Sequence, residues 1–187
     1  RSDDGGRSYN YSTGLLTPGV DEGQLALLPN GSVISLMRNC WHGTIAQCAQ
    51  AGDSLTEPTF PPNSNLLSYA ISTSGGETWG PIRIHPELPT PVCKAAILGY
   101  RNTTLFVGPY SQTSRVNLTV MASDDNAETF PRRLQLVDGS SGYASVQCGL
   151  PPPVSPSNHS GDCAVLYNRD HKDVHFLRFH LDDVRDR

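Results

Sequence analysis

Residues 2–9 read SDDGGRSY, residues 72–79 read STSGGETW and residues 123–130 read SDDNAETF. All three fit Ser-x-(Asp/Ser)-x-(Gly/Ala)-x-(Ser/Thr)-aromatic, with starts 70 and 51 residues apart. Three copies of an eight-residue pattern in one chain mark a repeated supersecondary unit. Its physics is legible. A strand ends, an acidic or hydroxyl side chain accepts bonds from turn amides, and glycine supplies positive φ. An aromatic then opens the next strand and packs under the turn. Antiparallel hairpins repeated in this way predict the blades of a β-propeller, about three of them here, with more needed to close a ring.

The rest of the chain agrees with an all-β class. Seventeen glycines and fifteen prolines favour short strands and tight turns over helices. Gln24–Leu28 and Ser32–Arg38 flank Pro29-Asn30-Gly31 and predict a hairpin. Ala95–Tyr100 and Thr103–Gly108 predict a second, and Cys163–Tyr167 with Val174–Leu181 a third. Arg115–Ser123 reads as an alternating strand. Glu57–Asn65, Pro86–Pro91 and Leu150–Ser160 read as connectors, the last as a long surface loop. There is no convincing amphipathic helix; Thr44–Gln50 has room for one turn. Residues 1–181 are expected to form the propeller portion and 182–187 a solvated charged tail.

Composition narrows the function classes. A net charge of −4 with no basic run argues against a nucleic-acid surface. No apolar run approaches the roughly 20 residues that cross a bilayer as a helix. No initiator methionine or signal-like segment is present, so the chain reads as truncated at its N-terminus. Five cysteines (Cys40, Cys48, Cys93, Cys148, Cys163) leave one unpaired if the others form disulfides. Sequons at Asn10, Asn30, Asn102, Asn117 and Asn158 lean toward a secreted or lysosomal route, with a cytosolic or membrane-associated protein rich in Ser and Thr as the alternative. Cys40, His42 and Cys48 match no strong zinc spacing; a disulfide between Cys40 and Cys48, or no bond, is the simpler expectation. His171, His175 and His180, on or beside the last hairpin, read as surface or edge residues. No metal or cofactor is expected.

The repeats resemble the Asp-boxes of sialidases, exo-acting glycoside hydrolases built on a six-bladed β-propeller. Asp-boxes also occur in non-enzymatic propellers, so other residues must carry the chemistry. Asp21-Glu22-Gly23-Gln24-Leu25, a hairpin through Asn30-Gly31, and Met37-Arg38-Asn39 resemble the sialidase segment in which an acidic residue precedes a hairpin whose return strand ends in Arg-Asn. Ser114–Val120 resembles the segment of the third triad arginine and runs into the third repeat. Ser141-Gly142-Tyr143-Ala144-Ser145 resembles the Ser-Gly-Tyr-Ser motif of the nucleophilic tyrosine. The resemblance covers residues 1 to about 180 with the motif order kept. It implies Tyr143 as nucleophile, Glu22 as the base that activates it, and Arg38 and Arg115 as two of three arginines that bind the substrate carboxylate. Two departures stand out. The family's first arginine and its acid/base aspartate have no counterpart in these residues. Asn168 follows Tyr167 where many relatives carry a glutamate that braces the first arginine.

Chemistry explains why such residues belong together. Planar guanidinium groups match a sialic acid carboxylate with paired, charge-assisted bonds. That same carboxylate repels an anionic nucleophile, whereas a phenol is neutral and needs a neighbouring base. Taken singly, Glu22 is an ordinary turn residue, Arg38 and Arg115 ordinary strand charges and Tyr143 a packed aromatic; their order beside three repeats gives them meaning. The implied partners are sialylated glycoproteins, gangliosides or oligosaccharides. A non-catalytic Asp-box propeller that binds glycan or protein, and a trans-sialidase, are the alternatives. The 187 residues alone are expected to be inactive.

Overall fold

The computed structural model describes residues 2–12, 20–39, 65–151, 161–170 and 172–186. Its strands are β1 (Val20–Leu27), β2 (Val33–Asn39), β3 (Leu66–Ser72), β4 (Arg83–Pro89), β5 (Ala96–Tyr100), β6 (Thr103–Pro109), β7 (Leu118–Ser123), β8 (Arg132–Gln135), β9 (Ala144–Cys148), β10 (Cys163–Arg169), β11 (Asp173–Phe179) and β12 (Arg185–Asp186). The described residues contain no α-helix, only a 3-10 turn at Leu181–Asp183. The strands form three antiparallel sheets, ordered β1-β2-β3-β4, β5-β6-β7-β8 with β12 outside β8, and β9-β10-β11. The first sheet packs on the second and the second on the third, an open row among the described residues.

Alternation along β6 and β7 builds the two cores. Leu105, Val107, Leu118, Val120 and Ala122 face the third sheet, where they meet Ala144, Val146, Val165 and Tyr167. Phe106 and Met121 point the other way, toward Ile34, Leu36, Leu67 and Leu88 of the first sheet. Every residue of β7 is therefore buried, because both faces of the middle sheet are covered. Strands β1, β5 and β9 lie side by side as the leading strand of each sheet. Gln24 Nε2 donates to the Ile97 carbonyl at 3.1 Å, and a Cβ on Gly99 would stand 1.9 Å from the Leu27 oxygen. Only glycine permits that approach.

The repeats share one turn. In the third copy Ser123 Oγ accepts from Ala127 N, while Asp125 accepts from Glu128 N, Thr129 N and Thr129 Oγ1. The first copy repeats this with Ser2, Asp4, Gly6, Arg7 and Ser8. In the second, Ser74 stands where the carboxylate is and its Oγ still accepts from Thr78 N at 2.8 Å. The fourth and fifth positions have positive φ in every copy: Gly5 and Gly6, Gly75 and Gly76, Asn126 and Ala127. The second and third copies join the third to the fourth strand of their sheets. The expected packing of the aromatic holds fully for Phe130, which is buried against His85 and Phe106 and whose N–H reaches Glu87 Oε2 at 2.6 Å. It does not hold for Tyr9, which is 75% exposed.

The three expected hairpins form, with Asn-Gly in the first turn. Several expectations change. Pro86–Pro91 is not simply a connector, because Pro86 and Pro89 lie in β4. That strand is the edge of its sheet, where a missing N–H costs least. Arg115 lies in the loop before β7, and Leu181 lies in the 3-10 turn rather than in β11. Residues 182–186 keep exposed charges, yet they are held in the fold: Leu181 and Val184 are buried, and β12 pairs with β8. Cys148 and Cys163 are cross-strand partners joined by a disulfide, while Cys93 is a buried free thiol. Cys40, His42, Cys48, His171 and the Thr44–Gln50 turn lie outside the described residues.

Burial acts to raise the Asp125 pKa, but bonds from Thr129, Ser123 and Glu128 outweigh it and hold it at about 2. A depressed carboxylate pKa contributes stability above the unfolded value, near 3.8, that is lost as pH falls through about 2. Asp125→Ala is expected to cost about 1–3 kcal/mol at neutral pH, read from urea midpoints. The deficit relative to the parent should shrink between pH 4 and pH 2; a gap that stays constant over that range would contradict this assignment.

Candidate functional site

The site forms where β1, β5, β7 and β9 begin and β2 ends. The sequence bends β1 there. Asp21 pairs with Arg38 and Gly23 with Met37, so Glu22 is the extra residue of a bulge, at φ 25°. A bulge re-aims a side chain, and a non-glycine residue at positive φ persists only where its surroundings enforce it. Glu22 consequently leaves the strand's alternation and turns toward the third sheet.

Tyr143 meets it there. Its Oη donates to Glu22 Oε1 at 3.0 Å, across 121 residues of sequence. Arg38 Nη1 donates to the same phenol oxygen at 3.2 Å and forms an ion pair with Glu22 Oε2 at 2.8 Å. The rest of the Arg38 guanidinium is held by Asp21, with Nε to Oδ1 at 2.7 Å and Nη2 to Oδ2 at 2.5 Å. That pairing raises the Arg38 pKa above its ordinary value despite the opposing pull of burial, and Glu22 adds to it. Arg115 lies with its guanidinium carbon 5.2 Å from the centre of the Tyr143 ring and donates from Nη2 to the Val92 carbonyl at 2.8 Å. Val92 itself has φ 54°. Beside it the Cys93 thiol is pushed up to about 11 by burial, modulated by Arg115, Glu22 and Arg38.

The backbone around Tyr143 is fixed from two sides. Ser141 N donates to the Arg115 carbonyl, and Gly142 N to the Asn168 carbonyl, both at 2.8 Å. Asn168 N donates back to the Tyr143 carbonyl at 3.1 Å. A Cβ on Gly142 would fall 1.9 Å from Asn168 Oδ1, so glycine is required by that close approach. Asn168 thus lies under the tyrosine, as a side chain that fills the space beside Gly142.

All four residues singled out in the sequence, Glu22, Arg38, Arg115 and Tyr143, come together. Sequence reasoning passed over Asp21. Its signal was the bulge: two consecutive acidic residues opposite one arginine, with glycine following, let both carboxylates address the same guanidinium. The ensemble brings two carboxylates, two guanidiniums and a phenol to one surface. It offers an acceptor for the phenol proton and cationic groups for an anion.

No family model matches the sequence. A sialidase of Micromonospora viridifaciens is 26% identical over 155 residues, 78% of this chain and 21% of that protein. The intramolecular trans-sialidase of Ruminococcus gnavus, solved in complex with oseltamivir carboxylate, superposes with TM-score 0.67 at 17% identity. That match covers 100% of this chain and 38% of the other. The NanB sialidase of Streptococcus pneumoniae gives TM-score 0.68 at 14% identity, over 98% of this chain and 27% of the other. At such identities the structural likeness speaks to the fold, that of sialidase β-propellers. The chain spans about a fifth of the length of the curated relative it matches.

Gly142→Ala should force Asn168 away and displace Tyr143. About 1–3 kcal/mol of stability should be lost, as for overpacking elsewhere. Adding Asn168→Ala should recover part of that loss, because the clash is with the Asn168 side chain. A double-mutant cycle by chemical denaturation measures the coupling; strict additivity would remove the contact as the reason for glycine.

Proposed function

Because the chain belongs to the sialidase superfamily, we propose that it is part of the catalytic domain of an exo-α-sialidase that releases terminal sialic acids from glycoproteins, glycolipids or oligosaccharides. The reading goes with a six-bladed propeller in which the three sheets are three blades. The observation that carries it is the Tyr143–Glu22 bond with Arg38 on the same phenol oxygen.

The chemistry follows from charge. A sialic acid brings its carboxylate to the anomeric carbon, so an Asp or Glu nucleophile would meet a like charge. Sialidases with a tyrosine nucleophile stand apart from paired-carboxylate glycosidases for this reason. In the proposed step the Tyr143 oxygen attacks the anomeric carbon while its proton passes to Glu22 Oε1. The bond to the leaving oxygen breaks with protonation by an acid that these residues do not supply. A covalent glycosyl-tyrosine results. Water then attacks the same carbon, giving a proton to the conjugate base of that external acid, while the Tyr143 oxygen leaves and takes its proton back from Glu22, and configuration is retained. Arg38 and Arg115 hold the carboxylate and orient the sugar. Five sequons and the Cys148–Cys163 disulfide suit a secreted or lysosomal protein.

In the intact protein, Glu22→Gln should lower sialic acid release by about 10²–10⁴-fold. A fluorinated sialic acid that slows breakdown of the intermediate should add its mass to the peptide containing Tyr143, and Tyr143→Phe should abolish the adduct. Normal turnover by Tyr143→Phe would sink the assignment; glycan binding without turnover would make the protein a binding module. Product analysis separates hydrolysis, which yields free sialic acid, from transfer to another group. The 187-residue chain alone is expected to release none from a fluorogenic sialoside.

A further inference from the structure

The guanidinium of Arg38 has five N–H donors, arranged as a two-pronged Nε/Nη2 edge and an outer end. The two-pronged edge is taken by Asp21 through both carboxylate oxygens. The Nη1 group is engaged with Glu22 and Tyr143. A further anion therefore meets Arg38 only at its outer end. The lateral fork, which can pair with both oxygens of a carboxylate, is already occupied by Asp21.

We propose that Asp21 is a positioning residue that turns Arg38 into a partner of the Glu22–Tyr143 pair, an inference that rests on the sialidase reading for its kinetic consequence. Asp21 fixes the plane of the guanidinium. That orientation lets Nη1 reach both the Glu22 carboxylate and the phenol oxygen. When the phenol proton passes to Glu22, negative charge develops on an oxygen that already accepts from Arg38. Charge balance supports the same role. Asp21 and Glu22 offset Arg38 and Arg115, so Glu22 does not face an arginine whose charge is otherwise uncompensated. Without Asp21 the Arg38 fork is free to rotate onto Glu22, drawing that carboxylate away from the phenol. The bulge makes this arrangement possible, because it sets two consecutive acidic side chains on one guanidinium instead of on opposite faces of the strand.

Two measurements on the intact protein test this. In the first, Arg38 Nε–H exchange is followed by NMR with labelled arginine in the parent, Asp21→Ala and Asp21→Glu. Strong protection is expected in the parent, loss in Asp21→Ala and partial return in Asp21→Glu. In the second, kcat and KM are determined for a fluorogenic sialoside. Asp21→Ala should lower kcat on the order of 10²-fold, as for a misplaced catalytic group, while KM changes by less than about threefold. Asp21→Glu should restore part of kcat. Unchanged Nε–H protection in Asp21→Ala, or a raised KM with kcat intact, overturns the proposal. A parent protein that turns over no sialoside refutes the sialidase reading instead, and the exchange measurement then decides by itself whether Asp21 positions Arg38.

Discussion

The approach of Gly99 to the Leu27 carbonyl sets the spacing between the first two sheets, and much else depends on that spacing. With any side chain at Gly99 the leading strands would be pushed apart, and Glu22 would move with β1. The second sheet is in turn packed on the third through Ala96, Val107 and Val146. A bond between residues 121 positions apart then needs no long-range device beyond the packing of flat faces. Each sheet contributes what its own hairpins place at one end: a bulge from the first, a loop arginine from the second and a tyrosine before the first strand of the third.

Much of this architecture is legible in the sequence because its cues are local. The Ser-x-Asp turn, the Asn-Gly hairpin and the alternating strands are each encoded within ten residues. Strand β4 was hidden because its prolines resemble loop punctuation, and an edge strand tolerates them. Strands β8 and β12 were hidden because they are short and partly polar, so their existence depends on pairing partners. The Cys148–Cys163 pairing was not readable either. Five cysteines allow many pairings, and only the register of β9 against β10 selects this one.

For the site, residue types and order identified the four members, but not their connectivity. Resemblance gave Arg38 a single task toward a substrate. Geometry gives it two carboxylates and a phenol oxygen, because the string Asp21-Glu22-Gly23 marks a bulge without saying that both acids turn to one guanidinium. Likewise Asn168 stood out as a departure from relatives. In space it pairs its backbone with Gly142 and Tyr143, a structural duty that either an amide or a carboxylate side chain leaves intact, since the bonds are made by main-chain atoms.

The disulfide between β9 and β10 has a consequence for how the third sheet tolerates change. It ties the two strands at the ends of the segment that connects them, residues 149–162. The register of the sheet is thereby held covalently at the point where the chain leaves it. Lengthening that segment adds little to the entropy of closing an already closed loop. Cutting it by a protease would leave Tyr143 and Asn168 on two polypeptides still linked through sulfur. The strand that follows the tyrosine is thus tied to its neighbour by a link independent of the main chain between them.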